Sequence, residues 1–146
     1  MSDGDFIDSN VFAYLFDPQD GAKREIAQRL VAGAMASGAA SISFQVIQET
    51  LNVMTRKLRP PATADEARRF LTTVLAPLWR VVPSEELYER ALEVMARYGY
   101  SFYDSLIIAS ALSAGCTRLL TEDLQHGQRI EGLTIHNPFS PETGSH

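Results

Sequence analysis

Short apolar runs alternate with longer amphipathic stretches along this chain. Phe6-Ile7 reads as a first strand ending at Asp8, and Ser9–Phe16 as a short helix stopped by Asp17-Pro18. Ala22–Ser37 carries Ile26, Leu30 and Ala34 four apart, the spacing of one helix face, with Gly38 as C-cap. Ala40–Phe44 is a small strand. Gln45–Leu58 is a helix with Ile47, Leu51, Met54 and Leu58 on one stripe. Thr63-Ala64-Asp65-Glu66 is a capping box opening a helix that Pro77 ends. Trp79–Val82 is a strand. Ser84 caps a helix with Glu85 and Glu86 in its first turn, where the dipole favours acids, and that helix runs to Gly99. Ser101–Ala114 is helical, and Arg118–Thr121 and Leu133–His136 are the last strands.

Strands separated by helices need crossover connections. The expectation is an α/β three-layer sandwich, a central parallel sheet of about five strands with helices on both faces. Ligands in such sheets bind beyond the carboxyl ends of the strands. Four acids stand out there or nearby. Asp8 ends the first strand, where it is equally a cap for the helix at Ser9. Asp104 lies within about 60° of Ile107, Ile108, Ala111 and Gly115 on its helix, centred on the most apolar face. An unpaired carboxylate there costs several kcal/mol and needs a cation, a proton or backbone donors. Ser101-Phe102-Tyr103-Asp104 also fits a capping box. Glu49 lies opposite the Ile47 stripe but about 40–60° from Val46 and Val53, and alone reads as a solvated helix residue. Asp123 follows the strand Arg118–Thr121, where a turn residue is the plain alternative; whether it or Glu122 faces the sheet edge stays open. Four carboxylates gathered at one edge would raise each other's pKa, and all-oxygen ligands select Mg²⁺ or Mn²⁺.

The chain has 146 residues, which suits one domain over 1–139, with 140–146 as a disordered tail. With 45% apolar and 21% charged residues it is neither disordered nor collagen-like. The longest apolar runs, such as Leu106–Leu112, fall far short of the ~20 residues of a membrane span, and no signal peptide is visible. A single cysteine, Cys116, fits a reducing cytoplasm. The net charge of −5 argues against a general nucleic-acid surface, yet the four acids account for four of those five charges. His126, His136 and His146 show no zinc spacing, and no phosphate-binding glycine motif is present. Basic residues gather locally: Arg56, Lys57 and Arg59, then Arg68 and Arg69, with Lys23, Arg24 and Arg29 earlier. They read either as a solvated face or as a phosphate-positioning rim.

Phe6-Ile7-Asp8-Ser9-Asn10, Glu49 within Ser43–Glu49, Tyr103-Asp104-Ser105-Leu106-Ile107-Ile108-Ala109-Ser110-Ala111, Leu119-Leu120-Thr121-Glu122-Asp123 and Gly132–Phe139 together resemble the PIN domain, and within it VapC-type toxins. The resemblance runs from Phe6 to Phe139. It implies Mg²⁺- or Mn²⁺-dependent cleavage of RNA, a cognate VapB-like antitoxin and a homodimer. By position, Asp8, Glu49 and Asp104 match the three core acids and Asp123 the fourth. Asn10 and Thr121 match polar neighbours that orient ligands or the attacking water. The competing readings are a non-catalytic PIN-like module that binds RNA or protein, and a receiver-like phosphoacceptor. The second normally needs a late Lys, and this chain has none after Lys57.

Overall fold

The computed structural model describes residues 4–140. The main sheet contains β1 (Asp5–Ile7), β4 (Arg118–Leu120), β5 (Arg129–Ile130) and β6 (Leu133–His136), in the order β1-β4-β6-β5. β1 pairs with β4 and β4 with β6, both parallel, whereas β5 and β6 are antiparallel. A second, two-stranded sheet pairs β2 (Ile42–Ser43) with β3 (Trp79–Val81) in parallel. The two sheets meet at Ser41, whose N–H donates to Asp5 O at 2.9 Å and whose carbonyl accepts from Ile7 N at 3.1 Å. All five strands expected from the pattern are present. The count for the central sheet nevertheless changes to four, because β2 and β3 join it only through that one bridge. The added strand, β5, is antiparallel and two residues long, too short for any alternation to show.

The helices are α1 (Ser9–Tyr14), α2 (Gly21–Ser37), α3 (Phe44–Asn52), α4 (Ala64–Phe70), α5 (Ala76–Leu78), α6 (Glu85–Tyr98) and α7 (Phe102–Ser113). Wider π turns extend α3 over Val53–Lys57 and join α4 to α5 over Leu71–Leu75. Pro77 does not stop its helix at once. It lies in the first turn of α5, where a missing N–H costs no helical bond, and the chain becomes extended at Trp79. The capping box of Thr63 and Glu66 is closed in both directions, and Gly38 caps α2 at φ 67°.

Consecutive strand residues are buried together: Phe6 with Ile7, and Leu119 with Leu120. Both sheet faces are therefore covered, as parallel sheets require. Phe12, Ile42, Leu75, Leu78, Ile108 and Ile135 complete the fully buried centre. Gly4 leads into β1 at φ 102°, and a Cβ there would lie 2.2 Å from Ala39 O, so only glycine fits. Tyr14 and Phe139 rings stack 4.8 Å apart and fasten the exit of β6 to α1. Ser140 closes a turn onto Asn137 O, and the rest of the expected tail lies outside the described residues. No helix among the described residues is long and apolar enough to cross a membrane.

Candidate acid site

The pairing Ile7↔Leu120 ends β1 and β4 at the same level, so Asp8 and Thr121 leave the sheet side by side. Asp8 N donates to Leu120 O at 3.0 Å, and Thr121 Oγ1 donates to Asp8 Oδ2 at 2.8 Å. Asp8 Oδ1 accepts from Ser9 N at 2.7 Å, which caps α1. Both sequence readings of Asp8 therefore hold: it caps a helix and it lies at the carboxyl end of a strand. Its side chain is 6% exposed. Burial pushes its pKa up to about 7, hydrogen bonds from Thr121 and Ser9 oppose this, and repulsion by Glu49 and Asp123 adds to it.

Glu49 is not a solvated helix residue. It is half-buried, with Oε1 accepting from Ser9 Oγ at 2.8 Å and Oε2 from Gln45 Nε2 at 3.1 Å. Gln45 Nε2 also reaches Tyr103 O at 3.2 Å, next to Asp104. On the other side, Asn10 Nδ2 donates to Thr121 Oγ1 at 3.2 Å and to Asp123 Oδ2 at 3.0 Å. Asp123 is thus the acid that faces the sheet edge. Glu122 turns away to Tyr14 OH at 2.6 Å and Lys23 Nζ at 2.5 Å.

Asp104 is half-buried in the first turn of α7. Ser101 Oγ caps the Asp104 N–H at 3.2 Å, but the Asp104 carboxylate returns no bond to Ser101, so the capping box is only half made. Three of the acids accordingly form a chain, Glu49–Ser9–Asp8–Thr121–Asn10–Asp123, linked by hydroxyls and an amide, and Gln45 ties its Glu49 end to the carbonyl of Tyr103, the residue before Asp104. Among the described residues no three His, Cys, Asp or Glu close around one point that could hold a metal ion. Mutual repulsion accounts for the spread: carboxylates facing neutral donors cost less than carboxylates facing each other.

The basic residues lie on the adjoining helices. Arg56, Lys57, Arg59, Arg68 and Arg69 are all exposed. Lys57 and Arg59 line an open groove of about 670 Å³ with Tyr14, Phe16 and Val53, one helical turn beyond Glu49. Arg69 lines a neighbouring apolar groove with Phe16, Met54 and Phe70. Arg68 is paired with Asp65.

Ser9 and Gln45 are the site residues that sequence reasoning missed. Ser9 read only as a helix start. Gln45 sits between Phe44 and Val46, and its 3% exposure gave no signal in the pattern. The structure also brings His126 and His136 together, with ring centroids 5.2 Å apart, far from any zinc spacing in sequence.

The fold is similar to VapC20 of Mycobacterium tuberculosis, a sarcin–ricin-loop-cleaving toxin, at 24% identity over 82% of this chain and 91% of that one, with a TM-score of 0.60. It is similar to a toxin–antitoxin complex from Klebsiella pneumoniae at 18% identity over 92% and 97% of the two chains, with a TM-score of 0.68. VapBC2 of Rickettsia felis, solved with promoter DNA, matches at 15% identity over 92% and 98%, with a TM-score of 0.60. At these identities the likeness is one of fold. No curated protein matches the chain by sequence. The profile of the PIN domain matches residues 6–129, from β1 to the start of β5, and takes in every acid described above. The chain belongs to the PIN domain family.

Proposed function

We propose that the chain is a divalent-metal-dependent endoribonuclease, the toxin of a type II toxin–antitoxin pair, restrained by a VapB-like antitoxin and acting as a cytoplasmic homodimer. One observation carries the reading. The Asp8 carboxylate is buried at a strand end with its pKa raised to about 7, and Glu49 and Asp123 add to that rise. A divalent cation is the partner that favours the ionised forms together. The donors are all oxygen, which fits Mg²⁺ or Mn²⁺ in kind.

Asp8 and Asp104 are the first choices as ligands, with Glu49 and Asp123 completing the site. A metal held by these residues would supply positive charge against the phosphodiester and acidify a bound water. The chain's own residues prepare for it. Thr121 and Ser9 each hold one oxygen of Asp8. Asn10 orients Asp123. Lys57 and Arg59 along the groove, with Arg56 and Arg69 exposed beside it, position phosphates, and Arg68, already paired, contributes least. The likeness in fold to a toxin that cleaves the sarcin–ricin loop supports an RNA substrate, and the likeness to toxin–antitoxin complexes supports a protein inhibitor.

The test is to express wild type and Asp8→Asn in cells without an antitoxin and to map new RNA 5′ ends. Growth arrest with a few discrete ends, lost in Asp8→Asn, is the expected result. Equal cleavage by the variant overturns the site assignment.

A further inference from the structure

We infer that Gln45 is a positioning residue: its buried amide ties Glu49 to the first turn of α7 and so sets the separation of Glu49 and Asp104. The inference rests on the divalent-cation reading above.

Gln45 is 3% exposed, and its Nε2 donates both to Glu49 Oε2 at 3.1 Å and to Tyr103 O at 3.2 Å. An ionised carboxylate and a backbone carbonyl only accept, so the amide has one workable orientation; turned over, it would set oxygen against oxygen. That orientation leaves Oε1 buried with no hydrogen-bond partner among the described residues. The unpartnered Oε1 is a burial cost that an apolar side chain of similar volume would not carry. What Gln45 adds is the cross-link.

The geometry suits that task. Gln45 and Glu49 are four apart on α3 and share a face, so the amide reaches the carboxylate without distorting the helix. Its second bond goes to the residue before Asp104, on a different helix. The other Glu49 oxygen is held by Ser9 of α1. Glu49 is thereby fixed from two directions, and among the described residues only the Gln45 bond refers it to the residue before Asp104.

The test uses Mn²⁺ alone as probe, titrated by electron paramagnetic resonance against full-length wild type and Gln45→Met, with thermal unfolding measured in parallel. Gln45→Met is expected to raise the Mn²⁺ dissociation constant about tenfold, the size of one lost bond to a charged group. The unfolding midpoint should move little, because relief of the unpartnered Oε1 offsets the donor that Glu49 loses. In a Glu49→Gln background the same substitution should have no further effect on Mn²⁺, because its target is gone. Unchanged Mn²⁺ affinity in Gln45→Met, or an equal loss in both backgrounds, overturns the role of Gln45 while the cation site stands. A wild type that binds no Mn²⁺ overturns the cation reading and this inference with it.

Discussion

The Ser9 hydroxyl donates to Glu49 Oε1 at 2.8 Å, joining the first residue of α1 to an acid 40 positions away on α3. Ser9 also supplies the backbone N–H that Asp8 accepts. Removing the hydroxyl frees Glu49 on one side without touching the cap. Ser9→Ala is expected to weaken divalent binding about tenfold and to leave the unfolding midpoint nearly unchanged. Mn²⁺ titration beside thermal unfolding checks both halves.

Asp8 makes stability depend on pH. Its carboxyl keeps a proton in the folded chain up to about pH 7 and loses it near 3.8 when unfolded. Between those values the folded state binds more protons, so stability falls as pH rises, and the penalty is complete above about 7. Three pKa units set a ceiling of about 4 kcal/mol. Metal-free Asp8→Asn lacks this slope and should unfold about 5–10 °C above wild type at pH 8, with the gap closing toward pH 4. Thermal scans in chelator across that range decide it; a gap that does not vary with pH would sink the idea.

Asp104 and Ser101 separate chemistry from capping. Ser101 Oγ holds the Asp104 N–H, while the carboxylate gives nothing back. Ser101→Ala should therefore cost about 1 kcal/mol of stability and leave RNA cleavage near wild type. Asp104→Asn should leave stability intact and abolish cleavage. Equilibrium unfolding of the two variants, paired with the cleavage assay, reads the contrast directly.

Lys23 serves the fold rather than the site. Its ammonium meets Glu122 at 2.5 Å and Tyr14 OH at 3.1 Å, and lies 4.8 Å from the Tyr14 ring centroid. Lys23→Met should leave the Glu122 carboxylate short of a partner and cost about 1–2 kcal/mol. RNA cleavage should persist, since Glu122 points away from Asp8. Urea unfolding measures the first effect and the cleavage assay the second.

Asp8, Asp104 and Asp123 stood out in sequence because each stands where a pattern stops, after a strand or at a helix start, whereas Glu49 by pattern alone read as solvated and was singled out only by the family resemblance. Their neighbours were harder to read. Gln45 looks like a polar gap in an apolar stretch, and only tertiary packing buries it. The choice between Glu122 and Asp123 turned on Asn10, which lies 113 positions before Asp123. β5 escaped notice for a local reason: it is a two-residue strand that runs straight into a turn in which Glu131 adopts φ 56°. Helix limits followed from caps that short-range pattern does encode, at Thr63, Ser84 and Gly38, whereas the cap at Ser43 lay inside the stretch read as a strand.

The pairing of β1 with β4 has a temporal side. Asp8 acquires its Thr121 bond only after more than a hundred further residues have been made. Until then the first carboxylate has neither its neighbouring strand nor Asp123 beside it. Any chemistry that needs Asp8 and Asp123 together begins only once the later residue has been made, so a nascent chain carries its own delay.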